Sequence, residues 1–174
     1  MHGYILVFLF AAFVWRITTV VISTLHERAL KSSGGKEYGA ATSLLLAGFH
    51  VLFYVSAVAE GALFHIEQST VSYAGVAIYA VSAITLISVI RSLGPVWTIK
   101  LIIAPGHHVV RSGLFSLVRH PNYFLSIIPE LVGIALATNA YWTMSIGLPI
   151  YAIPLTMRIR QEESIMRGTV PGYF

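Results

Sequence analysis

The 174-residue chain is 56% hydrophobic and only 10% charged, against roughly 45–50% apolar and about 25% charged for a soluble domain, so a membrane class follows before any motif is read. The absence of cysteine excludes disulfides, thiolate metal sites and thiol nucleophiles together. The formal net charge of +4 does not point to nucleic acid, because the basic residues are spread among short loops between apolar spans.

A helix needs about 20 mostly apolar residues to cross the hydrocarbon core. Five stretches qualify in chain order: about Gly3 to Leu25, Ala40 to Ala59, Thr70 to Ile90, Asn122 to Ala137 and Tyr141 to Met157. The expected fold is therefore all-α, one membrane domain over residues 1–174, a bundle of five transmembrane helices. The first stretch lacks a basic n-region and a small-residue cleavage site, so no cleaved signal peptide is expected. Only Thr138, Asn139 and Ala140 separate the last two stretches, which predicts a tight helical hairpin.

Arg28, Lys31 and Lys36 follow span one; Arg91, Lys100, Arg111 and Arg119 follow span three; Arg158, Arg160 and Arg167 follow span five, and the other two loops hold no basic residue. The positive-inside rule then puts the N-terminus outside and the C-terminus in the cytoplasm. The segment from Arg91 to Pro121 is too polar to span and too apolar for a free loop, so a cytoplasmic interfacial segment is expected between spans three and four. Pro121 suits the first turn of span four, which sets Arg119 and His120 at a helix N-terminus fit for an anion.

Arg158 and Glu162 are four apart and share a helix face, whereas Glu163 points about a quarter turn away. A solvated ion pair just past a span and a functional pair both fit that spacing. Glu130, beside Pro129, and likewise Arg16 and His50 lie within spans, where ionisable groups are expensive. They either satisfy one another and the helix break expected at Pro129 or belong to a substrate site. For Trp97 and Tyr123, an interfacial belt position and a place in a site both fit the composition.

In order, Gly106-His107-His108-Val109-Val110, Gly113-Leu114-Phe115, Arg119-His120-Pro121-Asn122-Tyr123 and Arg158-x-x-x-Glu162-Glu163 resemble the isoprenylcysteine carboxyl methyltransferase family over roughly the C-terminal half. Leu93-Gly94, Trp97, Lys100 and Pro105-Gly106-His107 extend the likeness toward a bacterial branch that O-methylates alkylpyrones and related long-chain polyketides; Arg16, Glu27, Glu37, His50 and Glu60 match it more loosely. The resemblance implies S-adenosylmethionine as cofactor, held without a Rossmann domain by Lys100, His107, His108, Val109, Val110, Phe115, His120, Pro121, Asn122, Tyr123 and Glu162. It implies Arg158 on the acceptor side, and catalytic regions at 91–123 and 158–174. Phe115 stands where the family often has tyrosine, and the chain stops at Pro171-Gly172-Tyr173-Phe174, short of a longer tail in the family.

Methyl transfer from a sulfonium needs alignment more than acid or base. Glu162 suits hydrogen bonds from cofactor hydroxyl or amino groups, and Arg158 suits an anionic acceptor oxygen. A 4-hydroxypyrone arrives ionised and needs no base, whereas a phenol needs one, with His120 the candidate. His107, His108 and His120 are not expected to bind metal, since no cysteine or aspartate joins them and the family is metal-independent. The implied partners are the lipid bilayer and a lipophilic acceptor with a prenyl, alkyl or polyketide chain. Two rivals remain: an NADPH-dependent membrane reductase of sterol or steroid type, which shares an Arg-His-Pro-Asn-Tyr string, and a non-enzymatic transporter or scaffold. The terminal Arg158 and Glu162-Glu163 motif favours the methyltransferase.

Overall fold

The computed structural model describes residues 3–64, 69–106 and 109–170. Three helices come first: α1 (Gly3–Ser32), α2 (Ala40–Leu63) and α3 (Thr70–Leu93), with a short strand β1 (Lys36–Tyr38) after α1. A 3₁₀ turn (Gly94–Val96), strand β2 (Leu101–Ile103) and one-turn helix α4 (Leu114–Leu117) follow. Helix α5 (Asn122–Ala137) opens with a π-helical turn, Asn122–Ile127, and continues as Ile128–Ala137. Helix α6 has its own π turn, Thr143–Gly147, and runs on as Leu148–Thr169.

Helices α1, α2 and α3 are long and apolar enough to cross a membrane. None of the chain's prolines falls in them, so every backbone group can be bonded within the helix, as hydrocarbon demands. Helix α5 is shorter, and α6 couples an apolar first half to a charged second half. Helices thus occupy all five expected stretches, but α1 and α6 continue well past Leu25 and Met157. Their last turns are polar and project beyond the apolar region.

The fold is all-α, as expected, with one short ribbon added: β1 and β2 pair antiparallel, Lys36 with Ile103, Glu37 with Ile102 and Tyr38 with Leu101. Each strand has three residues, too few to show a period of two, and the partners are far apart in sequence. One expectation needs correction: the helix does not break at Pro129. Pro129 and Pro149 each lie just beyond a π turn, whose wider ring accommodates the missing N–H and the clash that a proline brings to a regular helix.

The α5–α6 hairpin turns at Thr138–Ala140 as expected, with Asn139 in the left-handed region at φ 56° and its side-chain carbonyl accepting from Ser72 at 3.2 Å. Helices α3 and α5 approach through glycine: a Cβ at Gly75 would fall 2.3 Å from the Ala137 nitrogen, and one at Gly133 would fall 2.7 Å from the Tyr79 nitrogen. Such close backbone approach is how helices associate where lipid is as apolar as the side chains. Glu60 of α2 caps the start of α6, its two oxygens accepting from the Trp142 and Thr143 N–H groups at 2.9 and 2.7 Å. These N–H groups have no partner within a helix's first turn, and a carboxylate suits the positive end of the dipole.

The ionisable residues inside the helix bundle satisfy one another. Arg16 forms an ion pair with Glu130, its Nε lying 2.5 Å from Oε1. The Tyr54 hydroxyl donates to the same carboxylate and lies 3.1 Å from that of Tyr79. His50 Nε2 is 3.7 Å from Glu130, and its Nδ1 is 3.3 Å from the Tyr151 hydroxyl. Five helices meet at this hub, around which Phe53, Ala57, Leu131, Ile134 and Leu155 form the core.

Candidate active site

The segment from Gly94 to Pro121 is fastened at several independent points. His26 and Ser23 of α1 hold the Trp97 carbonyl at 2.8 Å and the Ile99 N–H at 2.9 Å. β2 is held by β1, and α5 begins at Pro121. The extension of α6 brings Arg158, Glu162 and Met166 to one face, spaced four apart. Together these elements enclose a cavity of about 610 Å³, within the roughly 300–1,000 Å³ of small-molecule sites.

Lys100, Val109, Val110, Phe115, His120, Pro121, Asn122, Tyr123, Arg158 and Glu162 all line it; His107 and His108 lie outside the described residues. Arg16, His50 and Glu130 are not among the lining residues, so the charges inside the bundle and the cavity are separate features. Leu93, Val96, Trp97, Thr98, the three residues of β2 and Met166 also line the cavity. Met166 is the one with a legible signal, since it continues the spacing of Arg158 and Glu162.

Arg158 is not a solvated partner. It is 3% exposed, its nearest approach to Glu162 is 3.9 Å, and its guanidinium donates to Ser43 of α2 at 2.6 Å, the Tyr123 hydroxyl at 3.2 Å and the Ile99 carbonyl at 3.2 Å. The Tyr123 hydroxyl donates in turn to Glu162 at 2.6 Å. Tyr123 and Trp97 are both buried, so neither is a belt aromatic. Lys100 lines the cavity while its ammonium is held by Glu27 at 2.7 Å, and Lys31 joins Glu27 at 2.6 Å and Glu37 at 2.5 Å.

His120 lies between two carboxylates. Nδ1 is 3.5 Å from Glu162 and Nε2 is 3.2 Å from Glu163, so Glu163 joins the cluster despite its different helical azimuth, and Arg167 holds its other oxygen at 3.3 Å. Burial pulls the His120 pKa down, but Glu162 and Glu163 outweigh it and raise the pKa above the ordinary 6.5. Burial likewise opposes ionisation of Glu162, yet hydrogen bonds from His120 and Tyr123 and the charge of Arg158 hold its pKa below the ordinary carboxylate value. Carboxylates facing both ring nitrogens favour the protonated, donating form of His120 over the neutral one.

This pairing sets a pH window. The raised His120 pKa stabilises fully below about pH 6.5 and is lost as pH rises through its folded value; the lowered Glu162 pKa stabilises above about pH 4.3 and is lost as pH falls through its own. The thermal midpoint of the wild type minus that of His120→Gln is therefore expected to be largest between about pH 4.3 and 6.5 and to shrink in more alkaline buffer. A difference that grows with pH would contradict the pairing.

Residues 74–168 match the profile of the isoprenylcysteine carboxyl methyltransferase family. An uncharacterized protein of Haemophilus influenzae is 44% identical over 156 residues, which cover 90% of this chain and 91% of the relative. The uncharacterized protein YpbQ of Bacillus subtilis is 30% identical over 159 residues, 88% of this chain and 91% of its own. No solved structure matches. The profile match spans more than half of the chain and takes in every cavity-lining residue from Leu93 to Met166. The chain thus belongs to the isoprenylcysteine carboxyl methyltransferase family, a family of membrane methyltransferases.

Proposed function

We propose that the protein transfers a methyl group from S-adenosylmethionine to an already ionised oxygen of a lipophilic acceptor. The observation that carries this reading is the convergence of motif residues from three stretches, Lys100, 109–123 and 158–162, on one cavity. The donor set fits the cofactor: the half-buried Glu162 carboxylate for hydroxyl or amino groups, and apolar walls for a planar base. When bound, S-adenosylmethionine supplies an electrophilic methyl group on a sulfonium.

The chain's own residues position and exclude water. Lys100, His107 to Val110, Phe115, His120 to Tyr123 and Glu162 hold the cofactor. Tyr123 fixes the orientation of Glu162 through its hydroxyl, and Arg158 fixes Tyr123. A guanidinium has five N–H groups, so the three hydrogen bonds of Arg158 leave it capacity for an anionic acceptor oxygen. With His120 held as a donor, the site favours carboxylate or enolate acceptors over phenols. The five helices each cross the bilayer, the N-terminus lies outside, and the cavity opens to the cytoplasm of a bacterial cell. The acceptor enters from the bilayer and the cofactor from the cytoplasm, as their solubilities dictate.

Calorimetric titration of the purified protein with S-adenosylhomocysteine and, separately, with NADPH discriminates the readings. Saturable heat with S-adenosylhomocysteine and none with NADPH is expected. The reverse result would replace the methyltransferase reading with the reductase.

A further inference from the structure

The polar groups between the helices fall in two layers. At the cavity, Arg158 of α6 donates to Ser43 of α2, to Tyr123 of α5 and to the carbonyl of Ile99, a residue whose N–H is held by Ser23 of α1. In the hub, Arg16 of α1 pairs with Glu130 of α5, and His50 of α2 faces both Glu130 and Tyr151 of α6. The same four helices therefore give one group to each layer. Ser23 and Arg16, Ser43 and His50, Tyr123 and Glu130, and Arg158 and Tyr151 are each seven residues apart, about two turns or roughly 10 Å of helix.

Helices α2 and α6 run antiparallel and meet at matched steps: Glu60 with the Trp142 and Thr143 N–H groups, His50 with Tyr151, and Ser43 with Arg158. Apolar side chains can repack when a helix slides or turns, whereas directional hydrogen bonds cannot follow. Slipping α6 by one residue moves it about 1.5 Å along its axis and about 100° around it. All three partners of Arg158 lie on other elements, so its bonds exist at one height and one rotation of α6. Stability alone does not explain the hub, because apolar residues of similar volume are often as stabilising as a buried ion pair. Fixing register is the best-attested use of such groups.

We propose that Arg16, Glu130, His50 and Tyr151 are positioning residues for the site: they set the height and rotation of α6 at which Arg158 meets Ser43, Tyr123 and Ile99. None of the four lines the cavity, so they act through Arg158. The functional meaning of this arrangement rests on the acceptor-side role of Arg158 in the methyltransferase reading.

The double variant Arg16→Met/Glu130→Leu separates positioning from stability, since its thermal midpoint is expected within a few degrees of the wild type. In the ¹⁵N-labelled full-length protein in detergent, comparison with Arg158→Lys assigns the Arg158 Nε–H signal. Its exchange with water is expected to be about tenfold faster in the double variant, the equivalent of one neutral hydrogen bond. The amide of Val89, buried in the separate cluster with Leu86 and Trp97, should exchange as before. An unchanged rate at Arg158 overturns the proposal, and so does equal acceleration at both places, which is general loosening. Should the double variant not fold, Glu130→Gln decides by the same comparison: a smaller acceleration confined to Arg158 is expected, and none overturns the proposal. Titration with S-adenosylhomocysteine judges the other reading separately. Affinities within a few-fold of each other are expected for wild type and double variant, and no binding by the wild type would overturn the methyltransferase reading while leaving the positioning role standing.

Discussion

Glu162→Ala is expected to abolish measurable binding of S-adenosylhomocysteine and to lower kcat/KM by at least about 100-fold, the scale of losing one preorganised electrostatic partner. The carboxylate accepts from Tyr123, faces His120 and lies 3.9 Å from the buried Arg158. Its loss removes a cofactor contact and frees two groups that shape the cavity. Glu162→Gln keeps an oxygen for the Tyr123 hydroxyl but loses the charge, and is expected to fall between the wild type and the alanine variant. Arg158→Lys behaves differently: it keeps the charge but not the planar fork that reaches Ser43, Tyr123 and Ile99 together. It should bind S-adenosylhomocysteine within a few-fold of the wild type and lose turnover. Wild-type cofactor affinity in Glu162→Ala would sink the site assignment.

The second large effect is expected at the hub of charges inside the bundle. Removing one partner of a buried ion pair costs about 3–5 kcal/mol, because a charge is left uncompensated, whereas replacing both with apolar residues is often neutral or stabilising. Arg16→Ala is expected to lower the thermal midpoint in detergent by roughly 10 °C for a chain of this size. Glu130→Ala should cost less. The Arg16 side chain retains 22% exposure against 2% for Glu130, so an abandoned guanidinium can reach out of the bundle and an abandoned carboxylate cannot. The double variant Arg16→Met/Glu130→Leu should recover most of the loss. Equal midpoints for all three variants and the wild type would mean that the hub contributes nothing.

The helices were legible because long apolar runs have few alternative readings, and the cavity was legible because its motifs keep their order. Other features depend on contacts between residues far apart in sequence. Nothing local in Glu60 tells that it caps a helix beginning at residue 141, nor in Ser43 that it receives Arg158. Glu163 was set apart from Glu162 by helical azimuth, yet His120 is wide enough to meet both. Pro129 suggested a break because a π turn leaves no mark in a single sequence. The charges within the spans were visible, but their mutual pairing follows only from how the helices cross.

The short ribbon of β1 and β2 carries a consequence for the path of the chain through the bilayer. A hydrogen-bonded backbone ladder cannot be shared across hydrocarbon, where each strand would face unsatisfied groups. The connection between α1 and α2 and the stretch after α3 therefore belong on one side of any bilayer the chain crosses, since Lys36–Tyr38 pairs with Leu101–Ile103. If α2 and α3 are spans, they make a round trip between those points. Three residue pairs thus constrain the topology without reference to where the lysines and arginines lie.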